Sequence, residues 1–316
     1  MHIPDGFIDG KTAAITAALS AIGLGFALNQ VKRELPPRKI PLLGLSAAFL
    51  FAAQMVNFPI AGGTSGHLIG GALIAALLGP GAAVVVVATV LIVQCFLFAD
   101  GGVMALGANI FNMAILDSVS GYVIYRLVSR FLPGLRGRVT AIAFAGWCSV
   151  VLASIGCAGQ LAWSGTVAWS AGFPAMTSVH MLIGIGEALI SALVLLAIER
   201  TRPEMTAQIE ADRPKRGNQV TRYGLLATLG IAIFVAPFAC SWPDGLEQVA
   251  AKFGFGLKAV SHTVPALAPD YHAPGIHWAV GATAIAGALG SLVVFGLAIF
   301  LGRMLVPVKS SERPAN

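Results

Sequence analysis

Charge is what this chain has least of. Only 11% of its 316 residues are Asp, Glu, Lys or Arg, against 57% hydrophobic, and the mean hydropathy is +0.82. A water-soluble domain carries roughly a quarter charged residues, so the composition excludes one and places most of the chain in lipid. Cysteine is scarce as well. Cys95, Cys148, Cys157 and Cys240 show no Cys-x-x-Cys spacing and sit mostly in apolar runs, which excludes a disulfide framework or cysteine metal cluster and leaves small core residues. No Gly-x-x-x-x-Gly-Lys-Ser/Thr occurs, so the chain cannot use ATP through a P-loop of its own. His-Glu-x-x-His and Gly-x-Ser-x-Gly are missing too, which argues against an intramembrane zinc protease or a serine hydrolase. Binding is left as the natural task.

What is present is a series of apolar runs. Measured against the ~20 residues that cross a bilayer, spans fall at 11–29, 40–56, 81–99, 104–125, 139–163, 177–197, 223–239 and 278–301, with a short run at 67–79. The formal charge of +6 suggests nucleic acid only until its distribution is read. If the short run crosses and the amino terminus lies outside, 17 of the 20 basic residues fall on the cytoplasmic side, leaving Lys11, Lys252 and Lys258 outside. That is the asymmetry of the positive-inside rule. The expectation is an all-α polytopic protein of nine spans, seven before and two after a solvated linker at 200–222, with an external loop at 240–277. The two parts are 1–199 and 223–316, and no fixed-period repeat relates them.

The opening Met1-His2-Ile3-Pro4-Asp5-Gly6 lacks the basic region and cleavage site of a signal peptide, so Met1 is expected to remain as the terminus. A free amine followed by histidine is a chelator: the amine, the His2 amide nitrogen and His2 Nδ1 close a five- and a six-membered ring around one ion. His67, in Gly62-Gly63-Thr64-Ser65-Gly66-His67-Leu68-Ile69-Gly70-Gly71, can add a fourth nitrogen. Four planar nitrogens suit Ni(II) or Cu(II) better than the tetrahedral sites of zinc. The alternative is that the glycines serve close helix packing and His67 is a satisfied interfacial group. Each ligating histidine also needs an acceptor for its other ring nitrogen, for which Asp5, Asn57, Thr64 and Ser65 are near in sequence.

Other polar residues read more plainly. Asp117 and Glu187 lie inside spans, where a charge costs about 2.5–3.5 kcal/mol, and are expected to face the bundle as interhelical hydrogen-bonding groups. Asp100 reads as a solvated loop residue. His180 reads as an interfacial histidine, and His262, His272 and His277 as residues of a solvated loop beside Asp270.

Met1-His2-Ile3-Pro4-Asp5-Gly6-Phe7, Asn57-Phe58-Pro59-Ile60, Gly63-Thr64-Ser65-Gly66-His67-Leu68 and Asp100-Gly101-Gly102 through Gly107-Ala108-Asn109-Ile110-Phe111-Asn112-Met113 occur in that order. Over roughly residues 1–200 the chain resembles the substrate-capture (S) component of nickel/cobalt energy-coupling factor transporters, the CbiM/NikM family. The resemblance implies Met1, His2 and His67 as the metal ligands, with transported Ni2+ or Co2+ as bound substrate and no cofactor. It further implies a multi-pass protein of the bacterial inner membrane, partnered by a transmembrane coupling protein and two cytoplasmic ATPases. Residues 223–316, with Pro243-Asp244-Gly245-Leu246-Glu247, resemble the fused NikN/PDGLE-type auxiliary domain, which implies help in metal loading by contact with the loops near His67. On this reading Gly70, Gly71, Ala72 and Ala75 offer a smooth face to the coupling protein. The rivals are a self-sufficient cation channel or secondary transporter using Asp117, Glu187 and His180, and an intramembrane enzyme with a structural metal.

Overall fold

A computed structural model describes residues 1–201, 217–261 and 264–306. Most of the expected linker and His262 lie outside them. Helix α1 (Gly10–Glu34) starts where Asp9 Oδ1 accepts the Thr12 N–H at 2.9 Å, and Lys32 and Arg33 occupy its last turn, where cations complement the exposed carbonyls. Helix α2 (Ile40–Gln54) leads into an antiparallel pair, β1 (Phe58–Ile60) and β2 (Thr64–Gly66), with Pro59 opposite Ser65. Two helices follow, α3 (Gly71–Leu78) and α4 (Pro80–Phe98).

The expected span at 104–125 is one helix of three parts: α5 (Leu106–Asn109), a π-helical segment (Ile110–Leu116) and α6 (Asp117–Phe131). Wide turns of this kind re-aim side chains and are frequent at functional sites. Here Asn109 and Asn112 are buried, and Asn112 exchanges two hydrogen bonds, at 2.7 and 2.9 Å, with Gln160 on α7 (Gly134–Trp163). Helix α8 (Trp169–Thr201) packs along α7.

In the second part, α9 (Gly217–Phe234) and α11 (Ala279–Leu305) lie against α2, and the short α10 (Gly245–Phe253) lies between them in sequence. A Cβ on Gly290 of α11 would strike the Phe51 ring, so a bare backbone is needed for that approach. Phe51 in turn meets Phe98 and Tyr271, at centroid separations of 5.2 and 6.0 Å.

Six of the described helices are long and apolar enough to cross a membrane: Gly10–Glu34, Pro80–Phe98, Gly134–Trp163, Trp169–Thr201, Gln219–Phe238 and Ala279–Leu305. Three expected spans take other forms. Residues 40–56 form a 15-residue helix, residues 104–125 the three-part helix, and residues 67–79 only the eight-residue α3. The last leaves His67 in the loop before α3.

One expectation fails. Gly70, Gly71, Ala72 and Ala75 are buried, and a Cβ on Gly71 would collide with Asp117 Oδ2 and Ser118 Oγ. These small residues let α3 sink among α4, α6 and α7, and they present no face to a partner. Asp117 and Glu187 do face the bundle, both at 0% exposure. Glu187 accepts the N–H groups of Ile69 and Gly70 at 2.7 and 2.8 Å, which pins the turn after His67.

Candidate metal centre

The amino terminus is inserted into one end of the bundle. Ile3 is fully buried and pairs with Asn109 as if with a neighbouring strand. Its N–H donates to Asn109 Oδ1 at 2.7 Å, and its carbonyl accepts from Asn109 Nδ2 at 3.1 Å and from the Gly102 N–H at 2.9 Å. The Asp5 carboxylate accepts the N–H groups of Val103, Met104 and Ala105 at 3.1, 2.8 and 3.2 Å. Gly102 must be glycine, because a Cβ would overlap Asp5. Phe7 adds an edge contact to Phe255, centroids 5.1 Å apart. Chain ends are ordinarily loose unless tied down; this one is tied at residues 3, 5 and 7.

That clamp brings the three expected ligands together. The Met1 amine lies 3.1 Å from His67 Nε2, and the rings of His2 and His67 stack with centroids 5.3 Å apart. His67 Nδ1 lies 3.1 Å from the Leu68 carbonyl, an acceptor, so Nδ1 carries the proton and Nε2 keeps its lone pair toward the amine. His2 Nε2 lies 3.1 Å from Gln94 Oε1. An acceptor there suits a proton on Nε2, which leaves Nδ1, the nitrogen a chelate with the amine requires, facing Asp100 Oδ1 at 3.3 Å. Both imidazoles are thus oriented by an acceptor on the far nitrogen, the usual arrangement around a ligating histidine. Neither acceptor is one of the four near in sequence. Asp5 clamps the 103–105 turn instead, and Ser65 bonds to the second part of the chain. No group of three His, Cys, Asp or Glu side chains among the described residues could hold an ion by itself.

Three further carboxyl and imidazole groups border the centre. Asp100 Oδ1 sits 3.3 Å from His2 Nδ1, and Asp100 Oδ2 accepts from the Tyr271 hydroxyl at 2.5 Å, so Asp100 is no solvated loop residue. Asp244 Oδ2 accepts from the Met1 amine at 2.7 Å. His180 is buried, donates through Nδ1 to the Met176 carbonyl at 2.8 Å, and lines a small cavity with Met1, His67 and Asp244. Among the described residues its Nε2 has no hydrogen-bond partner. His272 and His277 are exposed and stand apart. Gln94 and Asp244 carried no sequence signal as site residues, except that Asp244 belongs to the Pro243 to Glu247 motif.

Burial sets the protonation of the centre. It pushes the His67 ring down to about 3, assisted by the neighbouring amine, and it lowers His2 against the opposing pull of Asp100. Burial alone would raise Asp244, but the adjoining amine outweighs it and holds the carboxyl below its usual range. Both rings are therefore neutral at pH 7 and competent to ligate. A ring whose pKa is depressed by folding favours its proton in the unfolded chain. Stability from His67 is then fully present above about 6.5 and is lost as pH falls toward about 3. The metal-free protein should lose melting temperature through that window, and His67→Asn should flatten the loss. An equal loss in both proteins would contradict the assignment.

The chain is similar to known proteins along nearly its whole length. Residues 2–205 match the family described as CbiM, cobalt uptake substrate-specific transmembrane region, and residues 218–307 match the PDGLE domain. A relative from Archaeoglobus fulgidus, assigned as a fused nickel transport protein NikMN, is 36% identical over 305 residues, covering 96% of this chain and 98% of the relative. The fused nickel transport protein NikMN of Rhodobacter capsulatus is 30% identical over 297 residues, covering 87% and 84%. A solved structure of a transition metal transporter is 30% identical with a TM-score of 0.59, covering 71% of this chain and 99% of that one. With a buried amino-terminal nitrogen cluster set in a multi-pass helical bundle, this chain belongs to the CbiM family of nickel and cobalt transport membrane proteins and carries a fused PDGLE domain.

Proposed function

We propose that the chain is the substrate-specific component of an ATP-driven energy-coupling factor importer that captures Ni2+ or Co2+ through Met1, His2 and His67. The observation that carries the reading is the approach of the Met1 amine to His67 Nε2, with the second ring nitrogen of each histidine held by an acceptor. The ligand set is the amine, the His2 amide nitrogen, His2 Nδ1 and His67 Nε2. An ion that displaces the amide proton gains two fused chelate rings, and planar four-nitrogen coordination favours Ni2+. Residues 1–199 form the capture unit, 200–222 a cytoplasmic linker and 223–316 the auxiliary domain.

The basic residues support the orientation. Lys32, Arg33, Arg38 and Lys39 gather at the end of α1 and in the turn that follows it, and Arg126, Arg130, Arg136 and Arg138 in the second half of α6 and the first turns of α7, one end of the bundle as the cytoplasmic side requires. The metal centre then opens on the external side, and α3 is the short crossing segment. On this reading the chain, which carries no P-loop of its own, takes its energy from a coupling protein and two ATPases, the partners the family resemblance implies.

Vesicles test this directly. The chain alone should bind 63Ni2+ without accumulating it, and accumulation should require the coupling protein, both ATPases and ATP. Accumulation by the chain alone would favour a self-sufficient channel or secondary transporter. Metal analysis of untagged protein from cells offered both metals should find nickel or cobalt; zinc only, or nothing, would defeat the ligand set.

A further inference from the structure

The PDGLE-bearing part reaches the metal centre through one carboxylate with two separate duties. Asp244 caps α10: its Oδ1 accepts the N–H groups of Leu246 and Glu247, both at 2.8 Å, while Glu247 accepts the Asp244 N–H at 2.9 Å. This reciprocal cap fixes the carboxylate plane. The second oxygen, Oδ2, is left pointing away from the helix, and it meets the Met1 amine at 2.7 Å.

The segment is fastened to the His67 loop at several points. The Pro243 carbonyl accepts the Ser65 N–H at 2.8 Å, the Trp242 carbonyl accepts from Ser65 Oγ at 2.7 Å, and the Cys240 N–H donates to the Asn57 carbonyl at 2.9 Å. A Cβ on Gly245 would press on Ile183, His180 and Val179, so the turn fits only with glycine in that place. Asp244 is thus held against the amine from a different part of the chain, 243 positions away.

A terminal amine has no preceding residue to fix where its hydrogens and lone pair point. A coordinated amine keeps two N–H groups, and an acceptor on one of them directs the lone pair. That is the service a second acceptor gives a ligating imidazole. Resting on the ligand set proposed above, we infer that Asp244 is the positioning residue of the terminal-amine ligand, so that the fused domain completes the metal site within one chain. Asp244 does not itself ligate.

Asparagine caps a helix as well as aspartate does, so Asp244→Asn in the full chain keeps α10 while removing the charged acceptor. Nickel affinity by isothermal titration should fall about 10- to 100-fold, and the visible absorption band of bound nickel should shift as the amine loses its orientation. Gln248→Ala removes a contact of the same helix with the His67 loop, Nε2 to the Gly62 carbonyl at 3.5 Å, without touching the cap or the amine, and should change affinity less than twofold. Equal losses in the two variants would assign the effect to loop docking and overturn the inference. So would unchanged affinity and spectrum in Asp244→Asn while an amino-terminal extension still abolishes binding, an outcome that leaves the chelate intact. Retained binding in the extended protein would defeat the chelate itself.

Discussion

One glycine added ahead of Met1 should abolish stoichiometric nickel binding. The extension turns the amine into an amide, which has no basic lone pair for a metal and no positive charge to form an ion pair with Asp244. Met1 is only 4% exposed and its nitrogen sits between His67 Nε2 and Asp244 Oδ2 at 3.1 and 2.7 Å. An extra residue has no space there without withdrawing residues 1–3. Loss of the shared five-membered ring removes the chelate's advantage as well as one donor, for which a drop of ~10³-fold, about 4 kcal/mol, is reasonable. Isothermal titration of the extended and native proteins, matched for melting temperature, measures it. Equal titration curves would show that the amine is not a ligand.

Replacing His67 with alanine should be nearly as damaging to binding and much less so to folding. In the proposed site the imidazole supplies one donor nitrogen, and its far side makes a single hydrogen bond, to its neighbour Leu68. The loop is held independently, by Glu187 on Ile69 and Gly70 and by Ser65 on Trp242 and Pro243. Affinity should fall ~10²-fold, about 3 kcal/mol. The absorption spectrum of bound nickel should change as water replaces nitrogen in the fourth position. An unaltered spectrum would remove His67 from the coordination sphere.

Both results depend on rigidity at a place where chains are usually loose. Without the pairing of Ile3 with Asn109 and the three N–H groups held by Asp5, each metal ion would have to order the terminus as it bound. Ordering one residue costs about 1–2 kcal/mol, so a pre-ordered terminus converts more of the coordination energy into affinity. The buried Asn109, at the end of α5 and next to the π-helical segment, serves this purpose.

Composition was enough to establish a helical, lipid-embedded protein, because only α-helices satisfy every backbone group within one such apolar segment. The dipeptide at the start and the glycine-bounded His67 could be singled out as candidate ligands from residue type alone, and the structure brings them together. Which groups hold those candidate ligands was not legible. The candidates near in sequence, Asp5, Asn57, Thr64 and Ser65, gave way to Gln94, the Leu68 carbonyl and Asp244, two of them carried in by other helices and loops. Nor could sequence separate a small residue that faces a partner from one that lets helices close on each other. Gly71 and Ala72 read as surface and proved to be buried. Local pattern reports what a residue prefers beside its neighbours in the chain, whereas contacts between distant segments arise only when the whole bundle packs.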